Sequence, residues 1–216
     1  MVDNFQNPFY FFGCMLNFPV SGLIIDFDGV LVDSMPEMAT FLSQNLRVSS
    51  RSAFSRIFRY SLTNHHSWFS EKIKKSQVHK YLKFLKEQPR DLLIYEMLET
   101  LRQIPLPKAI LTTNYSFLCE SILGEYAKDF SQIIGFDKVS SKTKGLDFLF
   151  ENGFDAQNSL LITDTLGDTL EFLEVVKKEQ ILASSWGFCP VPVLQTALPK
   201  EQILTKPEDL LDFFKK

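Results

Sequence analysis

Residues 22–34 read GLIIDFDGVLVDS. Leu23, Ile24, Ile25 and Phe27 have the composition of a buried strand, yet Asp26 and Asp28 stand where that strand should finish. In an open parallel sheet, ligands bind beyond the carboxyl ends of the strands. Strand periodicity places residues i and i+2 on one side, so both carboxylates are expected to point the same way while Phe27 packs opposite. Gly29 then permits a tight turn. Two close carboxylates repel, and one keeps its proton unless a cation intervenes. One acid ionised and the other available as a proton donor suits phosphoryl transfer, with Asp26 attacking phosphorus and Asp28 protonating the leaving oxygen. Further oxygen ligands for a metal come from LLITDTLGDTLEF, residues 160–172, where Asp164 ends another apolar strand and Asp168 follows. Small, hard Mg²⁺ suits such carboxylates together with a backbone carbonyl, water and phosphate.

Outward from these acids the chain alternates. LLIYEMLETLRQ (92–103) has helical spacing, KAILTTN (108–114) is a short strand, and YSFLCESILGEY (115–126) is helical again. FSQIIGF (130–136) reads as a strand and KGLDFLFENG (144–153) as a helix closed by Gly153. NSLLITD (158–164) is a strand, DTLEFLEVVKK (168–178) a helix, and QILASSW (180–186) the last strand candidate. This alternation predicts an α/β fold with a Rossmann-like, three-layer core built on a mostly parallel sheet. No internal repeat or low-complexity run organises the chain.

Residues 35–88 break the pattern. SMPEMATFLSQNL (34–46) opens with a capping box, Ser34 followed by Glu37, and Pro36 lies early in the first turn. SRSAFSRIFRYSL (50–62) and SQVHKYLKFLKEQ (76–88) are further helical patterns. The predicted organisation is therefore a core formed by residues 15–33 and 89–216, a helical insert over 34–88, and a short N-terminal extension over 1–14. The adjacent His65 and His66 lack a third ligand at metal-site spacing and read as solvated residues. Arg51, Arg56 and Arg59 form either a charged outer face or a hold on an anionic substrate tail. Phe54, Phe58, Trp68 and Phe69 read as the insert's own core, and Trp186 as packing near the last strand.

The 216-residue chain is 45% hydrophobic, carries 21 phenylalanines and has a formal net charge of −3. That is enough for one substantial core and a small second module. The charge offers no electrostatic footprint for nucleic acid or an anionic membrane. The apolar N-terminal stretch is interrupted by Asn17 and Pro19, and no Lys or Arg precedes Arg47. It therefore fits neither a signal peptide nor a membrane span. Cys14, Cys119 and Cys189 form no zinc spacing and no redox pair, which favours a reducing, cytoplasmic interior.

DFDGVLVDS, AILTTN, SKTKG and DTLGD, taken in that order, resemble the four signature motifs of the haloacid dehalogenase superfamily. The insert sits where that family carries its C1 cap, and ASSWGF and ILTKPEDLLDFF resemble the ends of phosphoglycolate-phosphatase-like members. The resemblance implies Asp26 as a nucleophile that forms an aspartyl-phosphate and Asp28 as general acid and later base. It implies Mg²⁺ held by the carboxylates of Asp26 and Asp164 and the Asp28 carbonyl, with Asp168 in support through water. Thr113 would hydrogen-bond a phosphoryl oxygen, with Thr112 as its alternative, and Lys144 would be the family lysine, with Lys142 as its alternative. SKTKG lacks the proline that usually follows the lysine, and Thr163 stands where glycine often precedes the first acid of the fourth motif. The implied activity is a Mg²⁺-dependent phosphatase of a small phosphorylated metabolite. A phosphosugar mutase shares the core and cap class, and a HAD-fold binding protein without catalysis is the reading from another class. Asp28 argues against dehalogenation, because that branch has no leaving alkoxide to protonate and carries Tyr at this position.

Overall fold

The computed structural model describes residues 18–46, 49 and 92–215. The extension over 1–14 and most of the insert lie outside them, and with them Arg51, Arg56, Arg59, His65, His66, Phe54, Phe58, Trp68, Phe69 and Cys14. In chain order the elements are β1 (Gly22–Ile25), α1 (Met35–Leu46), α2 (Tyr95–Arg102), β2 (Lys108–Leu111), α3 (Ser116–Leu123), β3 (Gln132–Ile134), α4 (Lys142–Glu151), β4 (Ser159–Thr163), α5 (Leu166–Phe172), β5 (Ile181–Ser184), α6 (Val191–Leu194), β6 (Ile203–Leu204) and α7 (Asp209–Asp212).

Every residue of β1, β2, β4 and β5 is buried, as expected of strands covered on both faces. Their side chains alternate between two apolar layers. Leu23, Ile25, Ile110, Leu160, Ile162 and Leu182 face one layer, which holds α2 and α3 through Met97, Leu98, Leu101 and Leu118. Ile24, Ala109, Leu111, Leu161, Ile181 and Ala183 face the other, which holds α4 and α5 through Leu146, Leu149 and Phe172. The described strands are all parallel and lie in the order β3-β2-β1-β4-β5-β6. This is the three-layer α/β architecture that the alternation predicts. The order reverses at β1, which lies between β2 and β4, so the carboxyl ends of β1 and β4 flank the switch point where doubly wound sheets bind ligands.

Three local readings need correction. QILASSW is not the last strand: Ile203 and Leu204 pair with Ala183 and Ser184 to add β6. Two residues are too few to show a period. The absence of an internal repeat also fails at short range, because KEQIL occurs at 178–182 and again at 200–204. Each copy is a 3-10 turn leading into a strand. Gln180 Nε2 donates to Ala156 O and Ser159 O at 2.9 and 3.0 Å. Gln202 Nε2 donates to Lys178 O and Ile181 O at 2.7 and 2.6 Å. Each glutamine thus ties the start of its own strand to the start of the preceding one. Finally, the capping box at Ser34 is not formed. The Ser34 hydroxyl donates to Asp28 instead, at 2.6 Å, and Glu37 Oε2 is buried without a partner among the described residues.

Gln180→Leu removes the side-chain donor from the buried Ser159 carbonyl and from the partly buried Ala156 carbonyl. It is expected to lower stability by roughly 1–3 kcal/mol, read as a fall in the urea midpoint with an unchanged slope.

Candidate active site

The strand ends of β1, β2 and β4 converge with the first turn of α4. Asp26 follows β1 and is only 7% exposed. Its Oδ1 accepts the N–H of Phe27 at 2.7 Å, and its Oδ2 lies 2.6 Å from Lys142 Nζ. That ammonium also donates to Asp168 Oδ2 at 2.7 Å. Lys142 itself is 2% exposed. Oxygens of Asp26, Asp164 and Asp168 all lie within 4.8 Å of one another. Among the described residues, Lys142 is the cation that contacts this group of three buried acids, bridging Asp26 and Asp168.

The titration behaviour follows first from burial and then from the neighbouring charges. Burial pushes Asp26 well above the usual carboxylate range against the pull of Lys142, and the charges of Asp168 and Asp164 push the same way. Burial likewise pushes Asp164 up to about 7, opposed by the N–H of Phe188 and reinforced by Asp168. Burial alone would lower Lys142, but the two carboxylates beside it outweigh that cost and raise it. The ammonium therefore stays charged.

Asp164 is built for one free oxygen. Its Oδ2 accepts the Phe188 N–H at 2.6 Å, whereas Oδ1 is buried with no partner among the described residues. Gly29 (φ 75°) and Gly187 both lie against this side chain, and a Cβ on either would collide with it. Ser184 Oγ donates to Gly29 O at 3.2 Å and holds the turn in place. A buried carboxylate oxygen with no donor, among three acids and beside two glycines, is a fitting place for a hard divalent cation.

Asp28 is half-buried. Its Oδ1 accepts from Ser34 and its Oδ2 from Asn114 Nδ2 at 3.3 Å. Burial raises its pKa, and these two bonds oppose the rise without cancelling it. Asn114 is itself fixed, because its N–H donates to Thr112 Oγ1 at 3.0 Å and its Oδ1 accepts the Tyr115 N–H at 3.0 Å. Thr112 is thus buried and engaged. Thr113, half-buried at the end of β2, makes no hydrogen bond to a described residue.

The structure brings together Asp26, Asp28, Asp164 and Asp168, and it places Lys142 rather than Lys144 among them. Lys144 is exposed. Its contribution is the backbone N–H that the Ser141 hydroxyl accepts at 3.2 Å. The expectation for Lys144 took the helix to begin there. With Ser141 as N-cap, α4 begins at Lys142, whose side chain turns back towards the strand ends. The serine just before the lysines was the available signal, since serine is a favoured N-cap. In the sequence Ser34 reads only as half of a capping box, and Asn114, Gly187 and Phe188 carry no assigned role. Phe188 acts through its backbone N–H, which no residue type announces.

Neither the protein-family models nor the curated proteins contain a match to the chain. Solved structures do resemble it. A haloacid dehalogenase-like family hydrolase from Streptococcus pneumoniae superposes with a TM-score of 0.69 at 22% identity, covering 91% of this chain and 99% of that one. The chain has the haloacid dehalogenase-like fold. A predicted phosphatase from Clostridium acetobutylicum gives a TM-score of 0.67 at 16% identity over 88% of this chain and 96% of its own. CbbY from Rhodobacter sphaeroides, solved with xylulose-(1,5)bisphosphate, gives 0.63 at 13% identity over 91% and 100%. Among the described residues no helix is long and apolar enough to cross a membrane.

The two lysines are separable by stability alone. Lys142→Met leaves buried carboxylates without their cation and is expected to cost roughly 3–5 kcal/mol in metal-free protein. Lys144→Met is expected to stay within about 0.5 kcal/mol of the parent. Chemical denaturation of both variants checks the assignment.

Proposed function

We propose that the protein is a Mg²⁺-dependent phosphatase that hydrolyses a small phosphorylated metabolite through an aspartyl-phosphate on Asp26. The observation that carries the reading is the buried cluster itself, three acids with oxygens within 4.8 Å of one another, two of them bridged by Lys142. Such a cluster attracts a divalent cation and then a phosphate dianion far better than it stabilises a fold.

Asp26, Asp164 and the backbone carbonyl of Asp28 would hold Mg²⁺, with Asp168 in support. When bound, the ion supplies charge neutralisation that lets a carboxylate approach an anionic phosphoryl group. Asp26 attacks phosphorus as the ester P–O bond breaks. Asp28, whose pKa is raised, gives its proton to the leaving oxygen. It then accepts a proton from the water that attacks the aspartyl-phosphate, releasing inorganic phosphate and restoring the Asp26 carboxylate. Lys142 stays charged throughout and steadies the nucleophile. Thr113, with its hydroxyl free of described partners, is a donor for a phosphoryl oxygen. The buried thiols of Cys119 and Cys189 suit a reducing compartment such as the cytoplasm.

Purified protein should turn over an aryl phosphate and some of a panel of phosphometabolites with Mg²⁺, should stop with chelator, and should lose on the order of 10³-fold or more in Asp26→Asn. Release of inorganic phosphate from a sugar phosphate supports hydrolysis. An isomerised sugar phosphate without such release would replace this reading with a phosphosugar mutase.

The pH dependence has a definite sign. Asp164, at about 7 without metal, must shed its proton to ligate a cation. Mg²⁺ affinity should therefore weaken as the pH falls below about 7. Calorimetric titrations at several pH values check this beside Asp164→Asn, which should bind Mg²⁺ more weakly and lose the part of the pH dependence that Asp164 supplies. A variant with the parent's affinity and profile would show that Asp164 is not a ligand.

A further inference from the structure

We propose that Thr163 is a positioning residue of this site, its hydroxyl fixing Asp168 so that Lys142 is aimed at Asp26. The inference rests on the phosphoryl-transfer reading above. Thr163 ends β4 and is wholly buried. Its Oγ1 donates to Asp168 Oδ2 at 3.1 Å. The same oxygen accepts from Lys142 Nζ at 2.7 Å, and that ammonium lies 2.6 Å from Asp26 Oδ2. The result is a continuous chain from Thr163 through Asp168 and Lys142 to Asp26.

The direction of the hydroxyl proton is set locally. Thr163 Oγ1 also faces the Thr165 N–H, at 3.4 Å. That group can only donate, so the single hydroxyl proton is left for the carboxylate. Asp168 is thereby held at both ends. Its N–H donates to Thr165 Oγ1 at 3.1 Å, which fixes the backbone at the start of α5. Its carboxylate is held by Thr163.

The Thr163 donor adds a second fixed hold on the oxygen that Lys142 grips, narrowing the soft torsion about which a carboxylate turns. A threonine is stiff at χ1 because it is β-branched, so it supplies a fixed donor. Thr163 and Asp168 are 0% and 3% exposed, which keeps water from standing in. A hydroxyl buried against an apolar layer is costly unless it is bonded. Here its partner is the counter-ion of the lysine that touches the nucleophile.

The test compares full-length Thr163→Val, which keeps the shape and loses the hydroxyl, with Thr163→Ser, which keeps the hydroxyl. Turnover of an aryl phosphate with Mg²⁺ is read beside calorimetric binding of beryllofluoride with Mg²⁺, a mimic of phosphate on Asp26. The Val variant should lose about 10- to 100-fold in kcat, with a comparable loss of beryllofluoride affinity. Its KM should stay within about threefold, and the Ser variant should stay within about threefold of the parent in every reading. Parent-like values for Val, or a Ser variant as impaired as Val, would overturn the proposal. A denaturation cycle with Lys142→Met needs no turnover, and the proposal expects non-additive shifts in midpoint where independent roles would add. A parent protein that neither turns over aryl phosphate nor binds beryllofluoride would remove the phosphoryl-transfer reading. The cycle would still decide whether Thr163 and Lys142 act as one unit, and additivity there overturns the inference.

Discussion

Three acids buried together at the switch point of the sheet set the terms for everything around them. Asp26, Asp164 and Asp168 sit together out of water, and among the described residues Lys142 is the ammonium that contacts them, through Asp26 and Asp168. Charged groups in that setting are expensive, and the raised pKa values of Asp26 and Asp164 record the expense. A purely structural protein would gain by replacing the cluster with apolar residues. Its retention at the end of two central strands makes sense if a cation and an anionic substrate complete the charge balance during a reaction.

Holding like charges together requires rigidity from many separate places. Asp164 is gripped by the backbone of Phe188 and the bare faces of Gly29 and Gly187. Asp28 is gripped by Ser34 at the start of α1 and by Asn114 after β2. The turn that carries Asp28 and Gly29 is in turn tied to β5 through Ser184. The two apolar layers on either side of the sheet make these holds possible, because they fix the relative heights of the strand ends. The paired glutamines of the KEQIL repeat do the same at the opposite end, where Gln180 and Gln202 lock the starts of β4, β5 and β6.

Much of the fold was legible in the chain. Strands buried on both faces must be apolar throughout, so Leu23–Ile25, Leu160–Ile162 and Ile181–Ala183 announce themselves, and the helical stretches between them leave a parallel sheet as the outcome. β6 escaped because two residues carry no period. At the site, the acids were legible because Asp26, Asp28, Asp164 and Asp168 stand out against the apolar runs they follow. Their hydrogen-bonding partners were not. Ser34 looked like half of a capping box, and only its proximity to Asp28 shows that its hydroxyl is spent elsewhere.

The lysine marks the boundary most clearly. Lys142 and Lys144 have the same side chain and near-identical neighbours, and local pattern cannot rank them. The choice is made by where α4 begins, because the first helical residue turns back to the strand ends while the third points into solvent. The fold class, the acidic residues and the order of the elements that bear them can be read from the chain, since they follow from hydrophobic periodicity and from charge placed against it. Which lysine meets Asp26, which oxygen of Asp164 lacks a described partner and which oxygen the Thr163 hydroxyl meets emerge only once the chain is folded. Those are distances between atoms far apart in the chain, and no local preference encodes them.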